Sequence, residues 1–288
     1  MGLRKNWNYT LRSRRRLRAA ERFLFLLPSL GGASCFVMLP FGKMVVSSFF
    51  TVLTNDFAGF RNYAAVFRNE AFRLAVRNTA RFIALGLPLL LLGSLGLALM
   101  ISGSFRLDKY KYMYLLPLAV PASTMVLVWK LLFSGQGFLN RLLGTHMNFL
   151  GEESAFYILV GSYLWKNLGY TMVLWLAGLR SIPEAILDAA KVDGAGRVKR
   201  FFLITLPCLR GCISTVLVVS LLNFFKVFRE VYLVGGAYPQ RSIYMLQNVF
   251  HNWYVNLEQD KLAAGAVLLT VVLGTVCLLL QRLWDNGE

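Results

Sequence analysis

The chain has 288 residues, 57% of them hydrophobic, and a mean hydropathy of +0.55. This exceeds the roughly 45–50% apolar usage of soluble domains, which excludes a water-soluble globule and points to a polytopic membrane protein. The formal net charge of +17 would suit nucleic acid, but the cations fall in short stretches between apolar runs, as membrane topology and anionic lipid contact require.

In chain order, a basic tail over residues 1–22 carries Arg4, Lys5, Arg12, Arg14, Arg15, Arg16, Arg18 and Arg22. The first apolar run, near Phe23 to Phe41, continues through Val45 towards Phe50. That is too long for a secretory signal core, so a retained helix is expected although Ala33-Ser34-Cys35 has the look of a processing site. Runs near Thr79 to Ile101, Tyr112 to Phe133, Phe156 to Leu179, Phe202 to Phe225 and Ala263 to Leu283 also match the roughly 20 residues that cross a bilayer. The expected fold is all-α and polytopic, with six transmembrane helices over residues 23–288.

Six spans place the tail, the second connection with Arg106, Lys109 and Lys111, and the polar stretch with Lys191, Arg197, Lys199, Arg200 and Arg210 on one side. The positive-inside rule makes that side cytoplasmic, with both termini on it. The opposite side holds Arg61, Arg68, Arg73 and Arg77 in its first loop but only Arg141 after the third span.

The stretch at about 181–207 stands apart from the apolar runs around it. Ser181 and Glu184 have capping-box spacing, which predicts a helix start. Ile182, Ala185, Ile186, Ala189 and Ala190 recur at helical spacing and form a narrow face that another protein could approach closely. Gly194 and Gly196 supply a stop, a second short helix follows from Arg197, and Pro207 marks the junction with the next run.

Catalytic and metal signatures are missing from the sequence. Cys35, Cys208, Cys212 and Cys277 lack metal-ligand spacing, and Cys208 and Cys212, one helical turn apart, read as packing. His146 and His251 belong to separate outer segments. Gly42-Lys43 is followed by Met44, with Val37 where a P-loop needs its first glycine, so the chain has no ATP site of its own. Asn8-Tyr9-Thr10 matches a glycosylation acceptor but sits in the cytoplasmic tail, where it is a chance match. The chain is expected to be neither an enzyme nor the holder of a cofactor.

Polar groups inside spans are costly and mark pathways, which singles out Trp165, Lys166, Asn167 and Tyr170 in the fourth span and Asn223 and Lys226 near the end of the fifth. Interfacial anchoring of the aromatics and snorkelling of the lysines are the competing readings. Carboxylates are nearly absent from the six runs, which weighs against an ion-gradient-driven secondary transporter. A membrane scaffold without transport is a third alternative.

Asp188-Ala189-Ala190, Asp193-Gly194-Ala195, Ile204 and Leu206-Pro207, in this order and spacing, resemble the EAA loop of binding-protein-dependent ABC importer permeases. Asp188 replaces the usual Glu, and Gly211 stands where a Pro often falls. Further matches favour the sugar-type importers: Gly59 with Asn62-Tyr63, then Phe72, Ala75 and Asn78-Thr79, then Leu116-Pro117, Val120-Pro121 and Trp129, and Gly137 with Asn140. The ending Gln281 to Glu288 and the opening Phe25 to Pro28 are similar to the first-permease type of the maltose importer.

The resemblance implies a permease of the bacterial cytoplasmic (inner) membrane that pairs with a second permease as a heterodimer. Its other implied partners are two cytoplasmic ATP-binding subunits, which carry the ATP and Mg, and an extracytoplasmic solute-binding protein docking on the first outer loop and the Val231 to Lys261 segment. It assigns ATPase coupling to Glu184, Asp188, Ala189, Ala190, Asp193, Gly194, Leu206 and Pro207. It makes Trp165, Asn167, Tyr170, Asn223 and Lys226 candidates for contact with a sugar substrate, Trp165 and Tyr170 by stacking on its rings. It does not say which sugar.

Overall fold

A computed structural model describes residues 26–51, 54–103, 109–151 and 153–285. The basic tail, the glycosylation match, Arg106 and the last residues of the chain lie outside them. Among the described residues the architecture is helical, with one isolated antiparallel bridge between Phe50 and Phe57.

Helix α1 (Leu26–Ser47) contains a π turn at Ser34–Met38 and has exposed apolar residues such as Phe36, Met38 and Leu39. A short α2 (Arg61–Arg68) leads into α3 (Glu70–Ser102), capped by Asn69, whose side chain accepts from the Phe72 N–H at 2.9 Å. Next come α4 (Lys109–Ala119), mostly a 3-10 stretch, and α5 (Ala122–Phe133), followed by α6 (Phe138–Leu143). Then α7 (Ser154–Arg180) precedes α8 (Glu184–Val192), α9 (Arg197–Arg200), a π turn at Phe201–Thr205, α10 (Leu206–Cys208) and α11 (Arg210–Phe224). Last are α12 (Phe228–Gly235), α13 (Leu246–Val255) and α14 (Gln259–Asp285).

Among the described residues, four helical stretches are long and apolar enough to cross a membrane: Leu26–Ser47, Glu70–Ser102, Arg210–Gly235 and Gln259–Arg282. The expected third span is broken. Val120 and Pro121 leave the helical conformation, and the segments on either side meet at 85°. Proline causes the break: Pro121 has no N–H to donate and forces Val120 into extended backbone, with ψ at 122°.

The expected fourth span is the continuous α7, whose 27 residues reach about 40 Å at 1.5 Å per residue. It falls short of the apolar character of the four because Tyr163, Lys166, Asn167 and Tyr170 interrupt it. The fifth span begins later and ends later than expected, running over Arg210–Gly235 instead of Phe202 to Phe225. Its start is shifted because Pro207 lacks the N–H that would bond Leu203, and the chain takes the π turn and a break at Leu209.

The core is built on α3 against α7. Phe82 of α3 packs its ring against Phe156 and Tyr163 of α7 and Phe224 of α11, with centroids 6.4, 5.4 and 5.2 Å away. Towards the other end, Trp175 Nε1 donates to the buried Ser94 hydroxyl at 3.0 Å, so the two helices are pinned by a polar contact as well as by apolar packing. Gly169 lets α7 touch the chain at Tyr114, where any Cβ would collide with the Tyr114 carbonyl.

Candidate coupling loop and translocation site

The stretch between α7 and α11 is a folded element with an exposed face. Ile182 and Ala190 are buried, whereas Glu184, Ala185, Ile186, Asp188, Ala189 and Val192 are exposed. Helix α8 ends in a Schellman motif: the Ala195 N–H donates to the Ala190 carbonyl at 2.9 Å and the Gly194 N–H to Lys191 at 3.1 Å. Gly194 has φ of +73°, a left-handed conformation that costs a side-chain-bearing residue more. Gly196 then opens α9 as its N-cap instead of acting as a second stop.

The expected capping box does not form. Pro183 is the N-cap of α8, and the Ser181 hydroxyl turns back to donate to the Gly178 carbonyl at 2.7 Å, finishing α7. Ser181 keeps helical backbone angles, so it belongs to the preceding helix, and the extended Pro183 makes the turn.

A second site lies where the broken α4–α5 pair, the middle of α7 and the start of α12 meet. It is a cavity of about 590 Å³ lined by Val120, Pro121, Ala122, Lys166, Lys226, Phe228, Arg229, Glu230 and Gln247 among others. Lys166 Nζ donates to Glu230 Oε1 at 2.8 Å, and both side chains are largely covered. Lys166 stands about 18 Å from the start of α7 and about 21 Å from its end, by the helical rise, so the cavity sits at mid-height.

The segment after α12 is latched to α3 by buried amides. Asn78 Nδ2 donates to the Arg241 and Tyr244 carbonyls at 2.6 and 3.0 Å, and the Leu246 N–H donates to Thr79 Oγ1 at 3.1 Å. Asn252 Nδ2 bridges the Ala237 carbonyl at 3.0 Å and the Tyr244 hydroxyl at 2.9 Å. Burial pushes the Tyr244 hydroxyl above its ordinary range, opposed by the Asn252 bond. Asn62 and Asn140 play the same part locally: Asn62 Nδ2 donates to the Ser48 and Phe50 carbonyls, and Asn140 Nδ2 to those of Ser134, Gly135 and Met147. Satisfying several carbonyls with one amide lets these turns be buried at little cost.

Residues 110–287 match the family model described as binding-protein-dependent transport system inner membrane component. The chain belongs to that family. It is 31% identical over 265 residues to the sulfoquinovosyl glycerol transport system permease protein SmoG of Agrobacterium fabrum, covering 86% of this chain and 84% of that protein. It is 29% identical over 264 residues to the sn-glycerol-3-phosphate transport system permease protein UgpA of Yersinia pestis, covering 87% and 89%. A chain from the crystal structure of a bacterial ABC transporter involved in the import of the acidic polysaccharide alginate has the same fold, with TM-score 0.79, 23% identity, and coverage of 93% of this chain and 96% of that one.

Within this permease most of the coupling candidates fall on α8 and the turn that ends it. Asp188 does not reach beyond its own helix: it accepts from Lys191 Nζ at 2.6 Å, and both side chains are exposed. Ala189 and Asp193 are exposed on the same element, Gly194 forms its turn, Ala190 packs inward, and Leu206 and Pro207 start the short α10 beyond the π turn. The pathway candidates divide. Lys226 lines the cavity and donates to Asn223 Oδ1 at 3.1 Å. Asn167 is occupied by a bond to the Tyr163 carbonyl at 2.9 Å. Trp165 is exposed and Tyr170 half-buried, and neither lines the cavity.

Glu230 and Arg229 escaped the sequence reading, which ended the fifth span at Phe225. The continuation of the helical stretch to Gly235 puts one carboxylate, Glu230, inside a span, where Lys166 pairs with it. The signal available was Lys166 itself, since a cation in mid-span calls for a counter-charge.

Proposed function

We propose that this chain is one of two permease subunits of an ATP-driven importer for a carbohydrate or polyol derivative. The second permease completes the pathway, two ATP-binding subunits grip the α8 to α10 element, and a solute-binding protein delivers the solute from outside. The family match together with the relatives named for sulfoquinovosyl glycerol and glycerol-phosphate transport supports the carbohydrate-type cargo. A related alginate transporter whose structure was solved with its periplasmic binding protein supports the binding-protein partner.

The observation that carries the reading is the exposed α8 face ended by a Schellman turn, joined to one span by Pro183 and to the next by the π turn. An element that must transmit movement between chains has to be stiff, close-packing and accessible. Small Ala185 and Ala189 with exposed Ile186 and Val192 meet that need. Six spans with both termini cytoplasmic would put this element on the ATPase side, a topology that the distribution of Lys and Arg supports. ATP-binding subunits closing on nucleotide would then bias the permease between inward-open and outward-open states.

The test is co-purification of the tagged chain from its native membrane. A second permease and ATP-binding subunits in the eluate, with ATP hydrolysis raised by a solute-binding protein, are expected. Isolation of the chain without them, and uptake that follows an ion gradient in the absence of ATP, would favour the secondary-transporter reading.

A further inference from the structure

We propose that the solute admitted by this permease carries an anionic group, a phosphate, sulfonate or carboxylate, held in the mid-height cavity by Lys226 and Arg229. The proposal rests on the permease reading above and narrows its substrate class.

The cavity wall holds three cations and one carboxylate. Lys166 at 2.8 Å neutralises Glu230. Lys226 donates to the neutral Asn223, and Arg229 has neither an ion pair nor a hydrogen bond among the described residues. Two exposed positive charges without a counter-charge therefore face the cavity. A neutral sugar would leave that charge unopposed as it displaced water, whereas an anion satisfies it, and charge-assisted hydrogen bonds are the stronger kind.

The backbone adds to the same field. Helix α5 begins at Ala122 after the break, with Pro121 as its N-cap and no side-chain cap bond. Ala122, the first residue of α5, lines the cavity, so the positive end of that helix faces it. Broken membrane helices present their N-termini to anionic substrate groups in this way. The Glu230 carboxylate does not cancel the effect because its charge is already taken up by Lys166.

The test uses cells producing the intact transporter, supplied with sn-glycerol 3-phosphate, glucuronate, an unsaturated alginate disaccharide, maltose and glycerol. Depletion of each solute from the medium is compared for the native chain, its deletion, Arg229→Lys, and the double variant Lys226→Gln/Arg229→Gln. At least one acidic solute should be consumed only when the chain is present, with maltose and glycerol indifferent to it. The double variant should slow that uptake roughly ten-fold or more, while Arg229→Lys keeps most of it. The partner subunits should co-purify with the double variant in native amounts. Chain-dependent uptake of maltose or glycerol, or full activity of the double variant, would overturn the proposal and leave the permease reading standing. Loss of the second permease from the double variant would assign the two cations to the subunit interface and overturn it too. Chain-dependent uptake of none of the five would strike at the permease reading itself, and the proposal would fall with it.

Discussion

Lys166 and Glu230, 64 positions apart in sequence, form an ion pair of 2.8 Å that fastens the middle of α7 to the first turn of α12, with side chains 20% and 13% exposed. Removing one partner leaves the other charge in a space that hydrates it poorly. Lys166→Gln and Glu230→Gln should each lower the thermal stability of the purified permease, and the double variant should lose less than the sum of the two. The expected coupling is about 0.5–3 kcal/mol in a double-mutant cycle read by thermal unfolding in detergent. Strictly additive losses would mean that the pair carries no energy.

The ion pair on the coupling element behaves differently. Asp188 and Lys191 are both more than half exposed, and such a pair on a helix is worth only about 0.3–0.5 kcal/mol. Asp188→Ala should therefore leave the unfolding temperature nearly unchanged while reducing the ATP hydrolysis that solute and binding protein elicit from the whole complex. A large fall in stability with normal coupling would assign Asp188 a purely structural part.

The amide latch between α3 and the segment after α12 gives a third prediction. Asn78→Leu strips the Arg241 and Tyr244 carbonyls of their donor, and each buried group left unpaired costs about 1–3 kcal/mol. Hydrogen exchange across residues 237–252 should accelerate in this variant, with exchange in α8 unaffected. Unchanged protection of 237–252 would show that the latch is redundant.

Close packing of α7 on the chain at Tyr114 gives a fourth. Gly169→Ala places a methyl group against the Tyr114 backbone carbonyl, which cannot swing aside as a flexible side chain could. The displacement should cost about 1–3 kcal/mol and be visible as a lower midpoint of thermal unfolding. Gly161, on the same helix with open space around its Cβ position, should accept alanine without loss.

Much of this arrangement is legible in the amino-acid order, and the exceptions have identifiable causes. Apolar runs locate the spanning helices because lipid demands continuous apolar surface, and the Gly194 stop is legible because only a left-handed residue closes a Schellman turn. Ser181 and Glu184 carry the spacing of a capping box, yet Pro183 between them takes the N-cap, so spacing alone misplaced the helix start. Pro117 and Pro121 are visible in sequence, but the 85° bend depends on what packs around the break. Glu230 was missed because Asn223, Lys226 and Arg229 end the apolar run ahead of it, although the helical stretch continues to Gly235. The cavity joins residues near 120, 166 and 229, a conjunction that no local pattern encodes.

The most direct test of ATP-driven coupling through α8 is uptake by vesicles reconstituted with the complete complex, native or carrying Gly194→Val. Valine at φ of +73° should cost about 1–2 kcal/mol locally and deform the turn that ends α8, with the spans intact. ATP-dependent uptake should collapse and the ATP-binding subunits should be retained less well on the permease. Undiminished ATP-dependent uptake by the Gly194→Val complex would contradict the account.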